Sequence, residues 1–280
     1  MDITKPGNII SLIEQYNLKI RKSWGQNFLT SADIIQKIVS AAELRASDHI
    51  LEVGPGLGTM TELLVQQARH VTALEIDPRL CTLLTERLGH QKNFTLIEGD
   101  ALQQNYEKLI DTPFKVVANL PYYITSPFII KLLEGPVQPV LAVLLVQLEV
   151  GRRLAAAPGT KDYGALSVAV QYRCEVEQVG RVAAGNFFPP PKVESAIVRL
   201  RWRQPPWQAT NPQLMSRLVR AAFGQRRKML KGVLASALGI PGDQVRAALS
   251  RIGVSEDTRG EKLSVRQFAH LADELEELMR

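Results

Sequence analysis

The segment Glu52-Val53-Gly54-Pro55-Gly56-Leu57-Gly58-Thr59 places three glycines on alternate positions after a short aliphatic run, His49 to Val53. That spacing lets a backbone turn tightly and approach a ligand that a Cβ would exclude. A dinucleotide fingerprint needs its third glycine where this chain carries Thr59, so a pyrophosphate ligand loses support, while a plain tight turn stays open. About 20 residues further on, Glu75 closes VTALEID, where a carboxylate can accept both hydroxyls of a ribose. Asp100 closes FTLIEGD, where a carboxylate can accept an exocyclic adenine amine. Asp77 and Asp100 are also candidate helix N-caps. Together with the loop, the set points to an adenosyl ligand without a pyrophosphate, S-adenosylmethionine.

A second cluster, Asn119-Leu120-Pro121-Tyr122-Tyr123, follows the run KVVA. An Asn at a strand end followed by a proline offers a side-chain carbonyl oxygen and a backbone carbonyl in a stiff turn. Two such acceptors can hold both hydrogens of an exocyclic amine, and the tyrosines supply π-faces for an everted base. The fitting chemistry is methylation at N6 of adenine. Its lone pair is delocalised into the ring, and the two acceptors would tilt the nitrogen and aim that pair at a methyl group. No strong base is needed, because the amine becomes acidic once alkylated. An ordinary turn is the bland alternative.

To position these groups the chain needs strands that end together. His49 to Val53, Val71 to Ile76, Phe94 to Glu98, Lys115 to Ala118, Val140 to Val146 and Ser195 to Leu200 read as strands, and Gln171 to Val182 as a further one. Thr59 to Ala68, Pro78 to Leu88 and Ser126 to Leu133 carry apolar residues at helical spacing between them. The expected fold is α/β, a mostly parallel sheet covered by helices. After the linker RQPPWQATNP the pattern is helical from Pro212 to the end, so a small all-helical domain is expected over 206–280, behind a catalytic domain over 1–205. Repeats and low-complexity segments are absent.

The 280 residues are 45% hydrophobic and 22% charged, enough for a full core and roughly two domains, which excludes disordered, collagenous and coiled-coil chains. Cys81 and Cys174 are too few for a disulfide framework, and neither they nor His49, His70, His90 and His270 show metal-ligand spacing, so no metal is expected. The longest apolar run, Val140 to Val146, is about a third of what a bilayer needs, and the first residues lack a leader pattern. A soluble, unprocessed, monomeric protein of the cytoplasm is expected, without a membrane partner. The net charge of +6 is uneven, with 15 Lys and Arg against 8 Asp and Glu over 199–280 and 19 against 20 before it. A basic tail suits a nucleic acid, although a merely solvated basic surface fits the charge equally well.

Gly25-Gln26-Asn27-Phe28-Leu29, the Glu52 to Gly58 loop, Asn119 to Tyr122 and Phe187-Phe188-Pro189-Pro190-Pro191-Lys192-Val193-Glu194-Ser195 occur in the order and spacing of the rRNA adenine N6-methyltransferases. The resemblance runs from about Ile20 to Leu275 and is strongest to the branch acting on small-subunit rRNA. It implies a Rossmann-like class I S-adenosylmethionine-dependent methyltransferase sheet. It also implies that Asn27, Leu29, Gly54, Gly56, Gly58, Glu75, Asp100 and Asn119 hold the donor. Asn119, Leu120, Pro121 and Tyr122 would hold the target adenine, with Phe187 facing the base from the other side. Arg226, Arg227, Lys228 and Lys231 would form a phosphate-contacting helix. The implied activity is dimethylation of two adjacent adenosines in the 3′-terminal hairpin of 16S rRNA, on a maturing 30S particle. Large-subunit rRNA methylation, and assembly of ribosomal particles with the pocket used only structurally, are the competing functions. The chain departs from its relatives at Leu148, where a charge is usual, at Gly151, where Ala is usual, and at Gly260, where Ala or Pro is common, which leaves the local helix start and the loop near Gly260 open.

Overall fold

The computed structural model describes residues 6–18 and 25–279; Ile20, where the resemblance begins, lies outside them. The described chain runs α1 (Pro6–Gln15), β1 (Phe28–Leu29), α2 (Ala32–Ala41), β2 (His49–Val53), α3 (Thr59–Gln67), β3 (His70–Glu75), α4 (Pro78–Leu88), β4 (Phe94–Glu98), β5 (Phe114–Asn119), α5 (Thr125–Glu134), β6 (Leu141–Gln147), α6 (Leu148–Leu154), α7 (Ala165–Arg173), β7 (Cys174–Val182), β8 (Phe187–Phe188), β9 (Ser195–Trp202), α8 (Pro212–Gly224), α9 (Leu230–Leu238), α10 (Gly242–Arg251) and α11 (Val265–Met279).

Seven strands form one sheet in the order β4-β3-β2-β5-β6-β9-β7. The first five are parallel, and β9 joins β6 antiparallel. Both faces of a parallel sheet are covered, which is why β2 and β6 read as near-continuous apolar runs and are buried almost throughout. On one face Ile35 and Ile38 of α2 and Leu64 of α3 pack with Val117 and Val143. Another cluster joins Ile9 and Leu12 of α1 to Leu83, Leu84 and Leu88 of α4. Asp77 caps α4 by accepting from the Arg79 amide at 3.1 Å, and Pro78 takes the first helical position, where its missing N–H costs nothing.

The chain forms two compact units, residues 1–151 with 175–202, and residues 152–174 with 203–280. A single cut after residue 205 misses the share of the second unit that comes from 152–174. Tyr163, Val168 and Tyr172 are buried with the apolar faces of α8 to α11. The Tyr163 hydroxyl donates to the Leu263 carbonyl at 2.9 Å, and the Tyr172 hydroxyl accepts from the Ala209 amide at 3.0 Å. The expected strand from Gln171 is corrected as well. Residues 171–173 end α7, where the Gln171 amide donates to the carbonyls of Leu154 and Ala156, and the strand starts at Cys174.

Both glycine departures have packing reasons. A Cβ on Gly151 would lie 2.8 Å from the Ala196 Cβ, and one on Gly260 would lie 2.5 Å from the Ala222 Cβ. Close approach, rather than backbone freedom, makes glycine suitable there. The helix start in question is α6, which begins at Leu148, with the Leu148 amide donating to the Glu194 carbonyl at 2.9 Å.

Candidate active site

From β2 the chain builds outward through β3 and β4, then returns to lay β5 on the other side of β2 and continue to β6. A crevice opens at the carboxyl ends of the strands where the winding reverses. Gly54 follows β2, Glu75 ends β3, Asp100 follows β4 and Asn119 ends β5. One cavity is lined by these four and by Asn27, Leu29, Gly56, Leu120, Pro121, Tyr122 and Phe187.

Gly54 and Gly56 have φ of +71° and +59°, a backbone region that disfavours side chains. A Cβ on Gly54 would stand 3.2 Å from the Asn119 carbonyl oxygen, and one on Gly56 would stand 3.2 Å from the Phe28 ring. The loop is a cradle that side chains would fill. Gly58 differs from the other two. It sits at the N-terminus of α3 with φ +85°, away from the cavity lining, and a Cβ there would meet Leu84 at 3.0 Å and Leu88 at 3.3 Å. Its place is explained by helix packing.

Glu75 is buried, and its carboxylate is fixed by the main chain. One oxygen accepts from the amides of Ile76 and Asp77 at 2.9 and 3.0 Å, the other from the Gly56 amide at 3.2 Å. Burial raises its pKa above the ordinary carboxylate value, and the three amide bonds oppose the rise. Asp100 uses one oxygen to accept from the Leu102 amide at 2.8 Å, so it makes a local turn while lining the cavity. Asp77 is a helix cap, as the alternative reading had it, and also accepts from the Gln26 side chain at 3.1 Å and pairs with Arg79 at 2.7 Å.

The Asn119 amide nitrogen donates to the Asn27 carbonyl at 3.2 Å. This bond sets which way the amide faces and leaves its oxygen as an acceptor for the cavity. Pro121 brings no amide hydrogen, and among the described residues the Leu120 carbonyl accepts no hydrogen bond. Tyr122 is half-buried with its hydroxyl 3.0 Å from the buried Ser195 hydroxyl; burial raises its pKa, and the Ser195 bond lowers it in part. Tyr123 also lines the cavity and is 56% exposed. The short ribbon of β1 and β8 pairs Leu29 with Phe187 and Phe28 with Phe188. Segments more than 150 residues apart in sequence thereby meet at one wall.

Sequence reasoning assigned no role to Gln26 or Ser195, which hold the N-terminal segment and the Tyr122 ring. Both lie inside the motif segments, but their partners become visible only when the strand ends are brought together.

In the second unit, the expected basic helix is corrected. Arg226, Arg227 and Lys228 lie in a turn between α8 and α9, and Lys231 is in the first turn of α9. The helix breaks at Gly224, and the Lys228 amide bonds back to the Gln225 carbonyl at 2.9 Å. Arg226 is engaged internally, donating to the Tyr163 carbonyl at 2.9 Å and pairing with Glu261 at 3.1 Å, and Lys231 pairs with Glu256. Arg227 and Lys228 are exposed. Among the described residues no cluster of His, Cys, Asp and Glu could hold a metal, and no helix is long and apolar enough to cross a membrane.

The profile of the family described as ribosomal RNA adenine dimethylase matches residues 17–277. Ribosomal RNA small subunit methyltransferase A of Bacillus mycoides (strain KBAB4) is 42% identical over 284 aligned positions, covering 98% of this chain and 97% of its own. Among solved structures, a dimethyladenosine transferase from Plasmodium falciparum matches with a TM-score of 0.75 at 27% identity, covering 87% of this chain and 95% of its own. The 23S rRNA methyltransferase ErmE matches with a TM-score of 0.70 at 33% identity, covering 89% of this chain and all of its own. Sheet order, the cavity at the carboxyl strand ends and these likenesses define a class I methyltransferase. Within that class, the match over nearly the whole chain is decisive, and the chain belongs to the ribosomal RNA adenine dimethylase family.

Proposed function

We propose that this enzyme transfers methyl groups from S-adenosylmethionine to N6 of two adjacent adenosines in the 3′-terminal hairpin of 16S rRNA, within a maturing 30S particle. The observation that carries this reading is the Asn119 amide, turned by the Asn27 carbonyl so that its oxygen stays available beside the Leu120 carbonyl. The glycine cradle at Gly54 and Gly56, with Glu75 and Asp100 at adjoining strand ends, fits an adenosyl donor. When bound, that donor supplies the electrophilic methyl group.

The Asn119 oxygen and the Leu120 carbonyl each accept one N6 hydrogen, drawing the amine out of conjugation and fixing the direction of its lone pair. Tyr122 and Phe187 flank the purine, Tyr122 held by Ser195 and Phe187 by its pairing with Leu29. The alkylated nitrogen loses its proton to water, so no side chain acts as a base. Asn27, Leu29, Gly54, Gly56, Glu75, Asp100 and Asn119 serve the donor side. Arg227 and Lys228 are the cations open to rRNA phosphates, with Arg226 and Lys231 held by internal pairs beside them.

The test is transfer of labelled methyl from S-adenosylmethionine to small ribosomal subunits lacking the modification, followed by mapping of the labelled nucleotides. Asn119→Ala is expected to lower turnover by about 100-fold or more while melting stays unchanged. Label confined to large-subunit RNA would overturn the substrate assignment.

A further inference from the structure

Glu52 lies in β2, two residues before Gly54 of the cavity lining, and takes no part in the steps above. It is fully buried, and neither carboxylate oxygen has a hydrogen-bond partner. The nearby Thr61 hydroxyl of α3 is buried and unpartnered too. Buried polar groups without partners are rare, and an isolated buried carboxylate takes up a proton instead of keeping its charge. Burial pushes the Glu52 carboxyl up to about 8, and the negative charge of Glu75 adds to the rise.

Glu52 stands opposite Ala73 on β3 and Val117 on β5. Two residues further along the same three strands are Gly54, Glu75 and Asn119, all of them lining the cavity. At about 3.3 Å per residue, Glu52 lies ~7 Å along the strand from that floor. Among the described residues, Glu75 on β3 is the titratable group that acts on it; α3 contributes the neutral Thr61 and β5 the apolar Val117.

The donor of the proposed reaction is a sulfonium cation, and its spent form is a neutral thioether. We propose that Glu52 lets the cavity distinguish the two, staying protonated when the cavity is empty or holds the thioether and ionising beneath the sulfonium. This inference rests on the donor reading given above. Donor binding releases the Glu52 proton to solvent. During transfer the carbon–sulfur bond breaks and the carbon–nitrogen bond forms, the sulfur keeps the electron pair, and the alkylated amine gives up one proton. Glu52, no longer facing a cation, regains a proton from solvent, and its attraction for the spent ligand is lost. A unit charge roughly 10 Å away, beyond that floor, at an effective dielectric near 20, corresponds to roughly tenfold in affinity.

The experiment is calorimetric titration of the full chain with S-adenosylmethionine and with S-adenosylhomocysteine, in buffers of different ionisation heat, from about pH 6.5 to about pH 9. The ligands' own amino groups titrate in this range, so the readout is the difference between the parent and Glu52→Gln. The ratio of donor to product affinity is expected to rise about tenfold with pH in the parent and to stay flat in Glu52→Gln. Identical slopes in the two proteins would overturn the role of Glu52 while leaving the donor assignment standing; absence of donor binding to the parent would overturn both. Should Glu52→Gln fail to fold, difference infrared spectra of the parent decide. Loss of a protonated-carboxyl band on adding S-adenosylmethionine, but not S-adenosylhomocysteine, supports the inference, and an unchanged band overturns it.

Discussion

Replacing Gly58 by Ala separates packing from ligand contact within one loop. Gly58 has φ +85°, and an added Cβ would lie 3.0 Å from Leu84 and 3.3 Å from Leu88, both buried in the cluster that joins α4 to α1. Holding Ala in the left-handed region costs about 1–2 kcal/mol. Forcing a methyl group against two close-packed leucines adds about 1–3 kcal/mol. The total of roughly 2–5 kcal/mol corresponds to a fall in melting temperature on the order of 3–9 °C for a chain of this size. Since Gly58 does not line the cavity, donor affinity measured by calorimetry below the transition is expected to change by less than about threefold, a small interaction term. Gly56→Ala is the contrasting variant. Its Cβ would enter the cradle against the Phe28 ring, and donor affinity is expected to fall by about tenfold or more. Gly58→Ala that melts like the parent yet loses donor binding would refute this division of roles.

Tyr122→Phe leaves the buried Ser195 hydroxyl without its partner and is expected to cost roughly 1–2 kcal/mol in denaturant unfolding; turnover falls less than tenfold because the ring is retained. Arg227→Ala with Lys228→Ala is expected to weaken binding to small subunits and flatten its salt dependence without altering melting, whereas Arg226→Ala lowers the melting temperature because Arg226 holds the Tyr163 carbonyl and Glu261. Glu52 also links stability to pH. Its carboxyl is raised from an ordinary 4.5 to about 8, so the unfolded chain releases a proton that the folded chain keeps, and stability falls as pH rises between those values. Glu52→Gln removes this fall, which at full extent is on the order of 5 kcal/mol, and melting curves across that pH range check it.

The parallel sheet was legible because strands buried on both faces are written as continuous apolar runs, and Leu141 to Val146 needs no tertiary information to be read. The strand-end residues were legible for a related reason: glycines, carboxylates and the Asn-Leu-Pro-Tyr turn interrupt those runs where the chain leaves the sheet. Residues 152–174 were not legible as part of the second unit, because Val168, Val170 and Tyr172 suit a strand as well as a helix, and only the burial of Val168 and Tyr172 against the C-terminal helices separates the two. Charge counting marked the basic segment correctly but not its shape, since a glycine at 224 ends the helix before the first arginine. It was also blind to Glu256 and Glu261, which each hold one of the four cations through a tertiary contact.

The polar groups of the site have their orienting partners within the protein. Three backbone amides fix Glu75, the Asn27 carbonyl fixes Asn119, and Ser195 fixes the Tyr122 hydroxyl. Such groups need little reorganisation when charge develops nearby, which is where the proposed reaction, with no strong base, would find its rate. In the proposed reaction the Asn119 bond would also join its two halves. Its acceptor belongs to the segment that Gln26 ties to Asp77 and that β1 ties to Phe187 and Phe188. In the proposed reaction, the carbonyl that would aim Asn119 at the adenine sits on the wall that would also border the donor, so placing that segment over the donor side and orienting the acceptor for the substrate would be one structural event.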